Sequence, residues 1–220
     1  MTIVRHVCAI TAVKSLPRAK SKLEKVLNSR EREELVLCML EDVVRALRYA
    51  ITTVLVVSPD ERVLEFAGRL GCEGIRDYGM GLNEAFRLGI KTAVSRRFDS
   101  VLLLPADLPL LRAWEVQKVL EMGTDEKFVV LSPTQRGGTG ILYLRPPTVI
   151  PLRFEGESFN SHFHEALKAG IKPKVFQSTG TFLDLDEPED IPRILLLADG
   201  TKTKDFLTGL SRGARQIAHQ

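Results

Sequence analysis

No stretch of this 220-residue chain approaches the roughly 20 consecutive apolar residues of a membrane-spanning helix. Charge of one sign is equally scarce: 31 lysines and arginines nearly balance 28 aspartates and glutamates, and the net charge of +3 is spread along the chain. A nucleic-acid partner calls for a clustered basic face, so this balance speaks against one and favours small anionic ligands. Cysteine is sparse as well. Cys8, Cys38 and Cys72 are odd in number, far apart and set among apolar neighbours. That excludes a disulfide framework and fits reduced core thiols of a cytoplasmic protein. The N-terminus lacks the basic, apolar and small-residue order of a secretory signal, which agrees with a cytoplasmic location. Glycine is missing from the first basic loop, Lys14 to Lys22, so a Walker A phosphate loop is ruled out there.

What is present is an alternation of short apolar runs and amphipathic segments. Apolar strands are expected over His6–Val13, Thr53–Ser58, Glu73–Arg76 and Ser100–Leu104. Helices are expected between them: one from an N-cap at Ser29 to about Tyr49, then Asp60–Leu70 and Leu82–Arg96. Leu35, Met39, Val43 and Leu47 give the first helix one buried stripe. Strand–helix alternation implies right-handed crossovers and a mostly parallel sheet covered on both faces. After a helix over Trp114–Met122, the strands Phe128–Ser132 and Gly140–Leu144 are joined too closely for a crossover and are expected to be antiparallel. A helix over Ser158–Ala169, a strand over Lys174–Phe176 and a last helix through Leu197 complete a single domain, residues 1–210. The residues 211–220 read as a polar, frayed tail. The fold class is therefore α/β, three-layer α/β/α and Rossmann-like, with a mixed sheet. Apolar residues around Gly140–Leu152 are a candidate homodimer contact.

Candidate chemistry gathers at the expected carboxyl edge of the sheet, where open α/β folds bind ligands. In Val101–Leu111 four apolar residues end at Pro105, and the next acidic side chain is Asp107. A carboxylate there suits a magnesium ion carrying phosphates, or else caps the helix beginning near Arg112. In Leu183–Asp190, Asp184 and Asp186 alternate with leucines, so an extended segment turns both carboxylates one way. A divalent cation would relieve their repulsion; a helix N-cap at Asp186 would account for that residue alone. The loop holding Lys14, Lys20 and Lys22 offers countercharge for a triphosphate, or is simply a basic surface loop. Gly79–Asn83 is a glycine-flexed turn suited to close approach of a base or ribose. Arg136–Gly140 forms either an anion nest or a plain hairpin turn. Ser158 is an N-cap or an acceptor-side phosphate contact, and His162 with His164 are spaced wrongly for a zinc pair on one helical face.

Taken in order, Val-Lys-x-Leu-x-x-Ala-Lys-Ser-Lys-Leu, Gly-Leu-Asn, Pro-Ala-Asp-Leu-Pro-Leu-Leu, Gly-Gly-Thr, Ser-Phe-x-x-His and Leu-Asp-x-Asp-x-Pro-Glu-Asp resemble the 2-phospho-L-lactate guanylyltransferases, the CofC family. These are relatives of the molybdenum-cofactor-type nucleotidyltransferases. The resemblance runs from about His6 to Leu197. It implies a GT-A-like nucleotidyltransferase fold and transfer of GMP from GTP to a phosphorylated three-carbon acid, in the making of coenzyme F-420. It implies Mg2+ on Asp107, Asp184 and Asp186, and catalytic roles for Asp107, Lys14 and Lys20. Val13, Lys14, Lys20, Gly81, Leu82, Asn83 and Asp107 are implied nucleotide contacts, and Thr139, Gly156 and Ser158 acceptor contacts. The chain departs from the family at Glu155-Gly156-Glu157-Ser158-Phe159, where the glycine register is shifted, and at Gly140, where relatives often carry asparagine. The acceptor, 2-phospholactate, phosphoenolpyruvate or 3-phosphoglycerate, is left open by the residues. Another nucleotidyltransferase of the same fold and a nucleotide-binding module without catalysis are the competing functions.

Overall fold

The structure, a computed structural model, describes residues 6–217. Seven strands form one sheet: β1 (Val7–Ala12), β2 (Thr53–Ser58), β3 (Glu73–Arg76), β4 (Ser100–Pro105), β5 (Phe128–Pro133), β6 (Thr139–Arg145) and β7 (Lys174–Val175). Their spatial order is β3-β2-β1-β4-β6-β5-β7. All pairings are parallel except those of β6, which runs antiparallel to both β4 and β5. The close β5–β6 connection is the cause, since so short a link permits only a hairpin.

The central strands are apolar on both faces because both faces are covered. Along β4, Leu102 and Leu104 enter one core while Val101 and Leu103 enter the other, as the two-residue period of a strand requires. On the first side lie α1 (Ser29–Arg48), α2 (Glu61–Arg69), α4 (Ala113–Met122), α7 (Asp190–Leu197) and α8 (Lys202–Ile217). On the second lie α3 (Leu82–Ser95) and α5 (Ser158–Lys168). In α1 the stripe of Leu35, Met39, Val43 and Leu47 is essentially fully buried. Each such side chain is worth roughly 1.5–3 kcal/mol of transfer free energy.

Several expectations are corrected. The N-cap of α1 is Asn28, not Ser29: Asn28 Oδ1 accepts the Glu31 N–H at 3.0 Å while Glu31 Oε2 accepts the Asn28 N–H at 2.8 Å. This reciprocal box satisfies two otherwise orphaned donors, which a serine one residue later cannot do. The 211–220 segment is not a separate tail as far as Ile217, where α8 ends; residues 218–220 lie outside the described ones. α8 docks because Asp42 of α1, only 5% exposed, accepts the Lys202 N–H, the Thr203 N–H and the Thr203 hydroxyl at 2.7–2.9 Å. Burial pushes the Asp42 carboxyl up despite these donors. In the stretch around Gly140–Leu152, Ile141 to Leu144, Ile150 and Leu152 belong to the core of the chain itself. A short helix, α6 (Thr179–Phe182), was not foreseen either. It lies so close to β6 that any side chain at Gly140 would run into the Thr181 carbonyl.

Candidate active site

β1 and β4 are parallel neighbours whose following segments diverge, β1 toward β2 and β4 toward α4. That divergence opens a crevice at their carboxyl ends. The segment after β1 supplies lysines, the segment after β4 supplies Asp107, and a backbone hydrogen bond from Leu185 N–H to the Asp107 carbonyl (3.1 Å) stitches the acidic segment to the same place. Residues 78 positions apart in the chain are thereby held as neighbours.

Lys20 is the centre of the grouping. Its ammonium donates to Asp107 Oδ2 at 2.7 Å and to Asp186 Oδ1 at 3.4 Å, and its side chain is only 9% exposed. Burial alone would lower its pKa, but Asp107 and Asp186, helped by Asp184, more than offset this and raise it. It is therefore an ammonium at any working pH. Its backbone is left-handed (φ +51°, ψ +39°), a strain of order 1–2 kcal/mol for a non-glycine residue, tolerated where the surroundings fix it. Lys22 adds bonds to Asp186 Oδ2 (2.7 Å) and Glu187 Oε1 (3.0 Å).

The two aspartates of the acidic segment differ. Burial raises Asp186, yet Lys20 and Lys22 outweigh it and hold the carboxyl below its ordinary range. Asp184 is raised, by burial first and by the negative charge of Asp107 second. Among the described residues its buried Oδ1 has no hydrogen-bond partner, and Arg136 is ion-paired with it at 3.6 Å. Three carboxylates drawn to one rim, one of them with a buried oxygen that no hydrogen bond satisfies, have the chemistry of a hard divalent ion's oxygen ligands. Among the described residues no three acidic, histidine or cysteine side chains already stand at coordinating positions, since the Lys20 ammonium takes the place of a cation between them.

Neither capping alternative survives. The N–H of Arg112, at the start of α4, is received by Glu115 Oε2 (2.7 Å), not by Asp107. α7 begins at Asp190, with Glu189 and not Asp186 in the cap position. Asp190, 4% exposed, has a role that its position among so many acids concealed. Its Oδ2 accepts the N–H groups of Asp186 (2.9 Å) and Glu187 (2.8 Å), while Arg136 and Gln135 donate to its Oδ1 at 2.8 and 3.0 Å. Gln135 also donates to the Asp184 carbonyl at 2.9 Å. The Arg136–Gly140 segment is thus a hairpin turn whose first residues brace the acidic loop. The arginine beside Gly137-Gly138 was the visible signal for this.

Val13, Lys14 and Leu82 line a continuous cleft, with Lys20 and the carboxylates at one end and Gly79 and Gly81 at the other. Asn83 is not part of it. Its Oδ1 accepts the Phe154 N–H at 2.8 Å and its Nδ2 donates to Glu155 at 3.1 Å, so it braces the loop before α5. Thr139 and Ser158 meet with hydroxyls 3.0 Å apart, and His162 Nδ1 lies 2.9 Å from the Thr139 oxygen. His162 Nε2 accepts the Arg153 N–H at 2.8 Å, so the ring proton is on Nδ1 and is donated to Thr139. Burial pushes the His162 pKa down to about 4, which keeps the ring neutral. His162 is thus a buried brace rather than a zinc ligand. Gly156 is exposed, with a left-handed φ of +57°. All three cysteines are free, and burial holds their pKa values at about 11–12, so they are inert thiols.

A doubly covered mixed sheet with a lysine–carboxylate crevice at its switch point is an arrangement suited to a nucleotide's phosphates, and the family match below makes the chain a nucleotidyltransferase. A solved structure described as a nucleotide-diphospho-sugar transferase, from Desulfovibrio desulfuricans, shares this fold with a TM-score of 0.79 at 18% identity, over 96% of this chain and 98% of that one. The chain matches the family described as "Guanylyl transferase CofC like" over residues 7–215, and it belongs to that family. A phosphoenolpyruvate guanylyltransferase from Rubrobacter xylanophilus is 43% identical over 190 residues, 86% of this chain and 93% of the relative. A 2-phospho-L-lactate guanylyltransferase from Methanothermobacter thermautotrophicus is 37% identical over 221 residues, 96% of each.

Proposed function

We propose that this guanylyltransferase transfers GMP from GTP to 2-phospho-L-lactate, giving lactyl-2-diphospho-5'-guanosine and pyrophosphate. The observation that carries the reading is the gathering of Asp107 and Asp186 on Lys20, with Asp184 beside them holding a buried oxygen that accepts no hydrogen bond among the described residues. Asp107, Asp184 and Asp186 would hold Mg2+. When bound, the ion neutralises charge on the phosphates and orients them. Lys20 and Lys14 meet the triphosphate, whose negative charge matches their end of the cleft. An oxygen of the acceptor's own phosphate forms a bond to the α-phosphorus as the bond to the β-phosphate bridging oxygen breaks, and pyrophosphate leaves with that electron pair. The attacking oxygen is ionised at neutral pH, so no general base is needed. Catalysis is positioning and charge neutralisation. Thr139 and Ser158, held by His162, offer hydroxyls to the acceptor acid.

Phosphoenolpyruvate is the second reading for the acceptor, favoured by the higher identity to the Rubrobacter xylanophilus enzyme. Incubating the protein with GTP and each acid, then weighing the products, decides between them, because the two adducts differ by a pair of hydrogens. Release of pyrophosphate with neither acid would contradict both readings.

A further inference from the structure

Deepening that reading, and resting on it, we propose that Asp77 selects the base: its carboxylate receives the N1–H and 2-amino N–H of guanine. Asp77 directly follows β3, and its N–H donates to the Ser58 carbonyl at 3.2 Å, which fixes it at the carboxyl edge of the sheet. There it lines a cavity of about 170 Å³ at the end of the cleft away from Asp107. Ala12, Val13, Pro59, Leu82 and Ala85 give it apolar walls, and Lys14, Ser15 and Arg18 line it as well.

Asp77 is only 9% exposed, yet no cation pairs with it among the described residues. Oδ1 accepts the Gly79 N–H at 3.2 Å, and Oδ2 has no protein partner among them. A carboxylate oxygen that faces a ligand cavity with no protein donor on it is placed to receive donors from a ligand. Phosphates cannot be those donors, since they are anionic, and they are drawn to the lysine end instead. A flat heterocycle can. Its faces suit the apolar walls, and Gly79 (φ +69°) and Gly81 (φ +102°) put backbone without a Cβ at the mouth. Among the common bases, guanine alone presents two adjacent N–H donors on its pairing edge, matching the two oxygens of a carboxylate, which is an acceptor only. Adenine and cytosine set a ring-nitrogen acceptor beside their amino group, and uracil flanks its N–H with carbonyls. A site built to receive donors rejects analogues lacking them by as much as about 10⁴-fold.

The test measures kcat/KM for GTP, ITP (which lacks only the 2-amino group), ATP and 2'-deoxy-GTP, in the wild type and in Asp77→Asn. The asparagine keeps an oxygen for the Gly79 N–H, so the turn is preserved, and a thermal melt checks folding. The expected result is a wild type that prefers GTP to ITP at least tenfold. In the variant, activity with GTP falls by about a hundredfold and the GTP/ITP ratio collapses toward one, while the GTP/2'-deoxy-GTP ratio is unchanged. A variant that keeps the GTP/ITP ratio overturns the inference, as does a wild type indifferent to the 2-amino group. A loss confined to the deoxy comparison assigns Asp77 to the ribose and overturns it equally. Should the wild type transfer no nucleotide to either acid, the functional reading fails instead, and equilibrium binding of GDP, IDP and ADP to the same two proteins still reads the base preference.

Discussion

Asp184 and His162 show how single side chains set the behaviour of the site. Asp184 Oδ1 is buried and accepts no hydrogen bond among the described residues, with Arg136 paired to it at 3.6 Å, and burial and Asp107 together raise its carboxyl. Replacing it by asparagine, or Asp107 by alanine, is expected to lower GTP-dependent pyrophosphate release by a hundredfold or more, by analogy with losses of oxyanion-stabilising groups of about 10²–10³. Asp184→Asn should melt near the wild-type temperature, whereas Asp107→Ala, which takes the 2.7 Å partner from Lys20, should melt lower; near-normal turnover would remove the residue from the mechanism. His162 makes a prediction of a different kind. The fold holds it neutral down to about pH 4, whereas the unfolded chain takes up a proton from 6.5 downward. Stability is therefore complete above pH 6.5 and declines as pH falls toward 4, by up to about 3 kcal/mol at about 1.4 kcal/mol per unit. Urea midpoints at pH 7 and pH 5 should diverge in the wild type and converge in His162→Gln.

Elements explain why the acidic loop is rigid and why part of the fold escaped the sequence. The loop between α6 and α7 has no regular structure, yet Asp190 holds two of its N–H groups and Arg136 and Gln135 brace it from the β5–β6 turn. Asp190→Asn replaces an acceptor by an amide that repels one of those N–H groups. Activity should fall about 10–100-fold, as for groups that orient metal ligands, with the Mg2+ concentration for half-maximal rate raised. An unchanged Mg2+ requirement would deny the bracing role. The strands and most helices were legible because apolar period and cap residues are local signals, and the position of Asp107 followed from a proline ending a strand. The bracing roles of Asp190 and Asn83 were not, since each depends on partners from about 50 to 70 residues away. α8 was hidden for a similar reason. Its N-terminus is capped from α1 by Asp42, a residue that sequence reads as one more charge on a helix. Asp42→Ala should cost about 2 kcal/mol, the worth of a good cap, and lower the melting temperature by ~4–8 °C without changing turnover at 25 °C.

At the scale of the whole molecule, the sheet does one thing for function: it ends β1 and β4 side by side and sends their continuations apart. Cations from one continuation and a carboxylate from the other then face each other across a crevice, and the Leu185–Asp107 bond brings the last third of the chain to the same rim. The resulting cleft is polarised, with Lys20, Asp107 and Asp186 at one end, Asp77 among apolar walls at the other, and Lys14 and Arg18 lining both parts. A nucleoside triphosphate has that polarity. The account stands on the acidic trio acting as one cation site when substrates are present. Electron paramagnetic resonance of Mn2+, titrated into the protein with GTP and a slow acceptor analogue, tests this directly. The account predicts a protein-bound signal in the wild type that is lost when Asp107, Asp184 and Asp186 are all changed to asparagine, while GTP still binds. An undiminished protein-bound signal in that triple variant would contradict it.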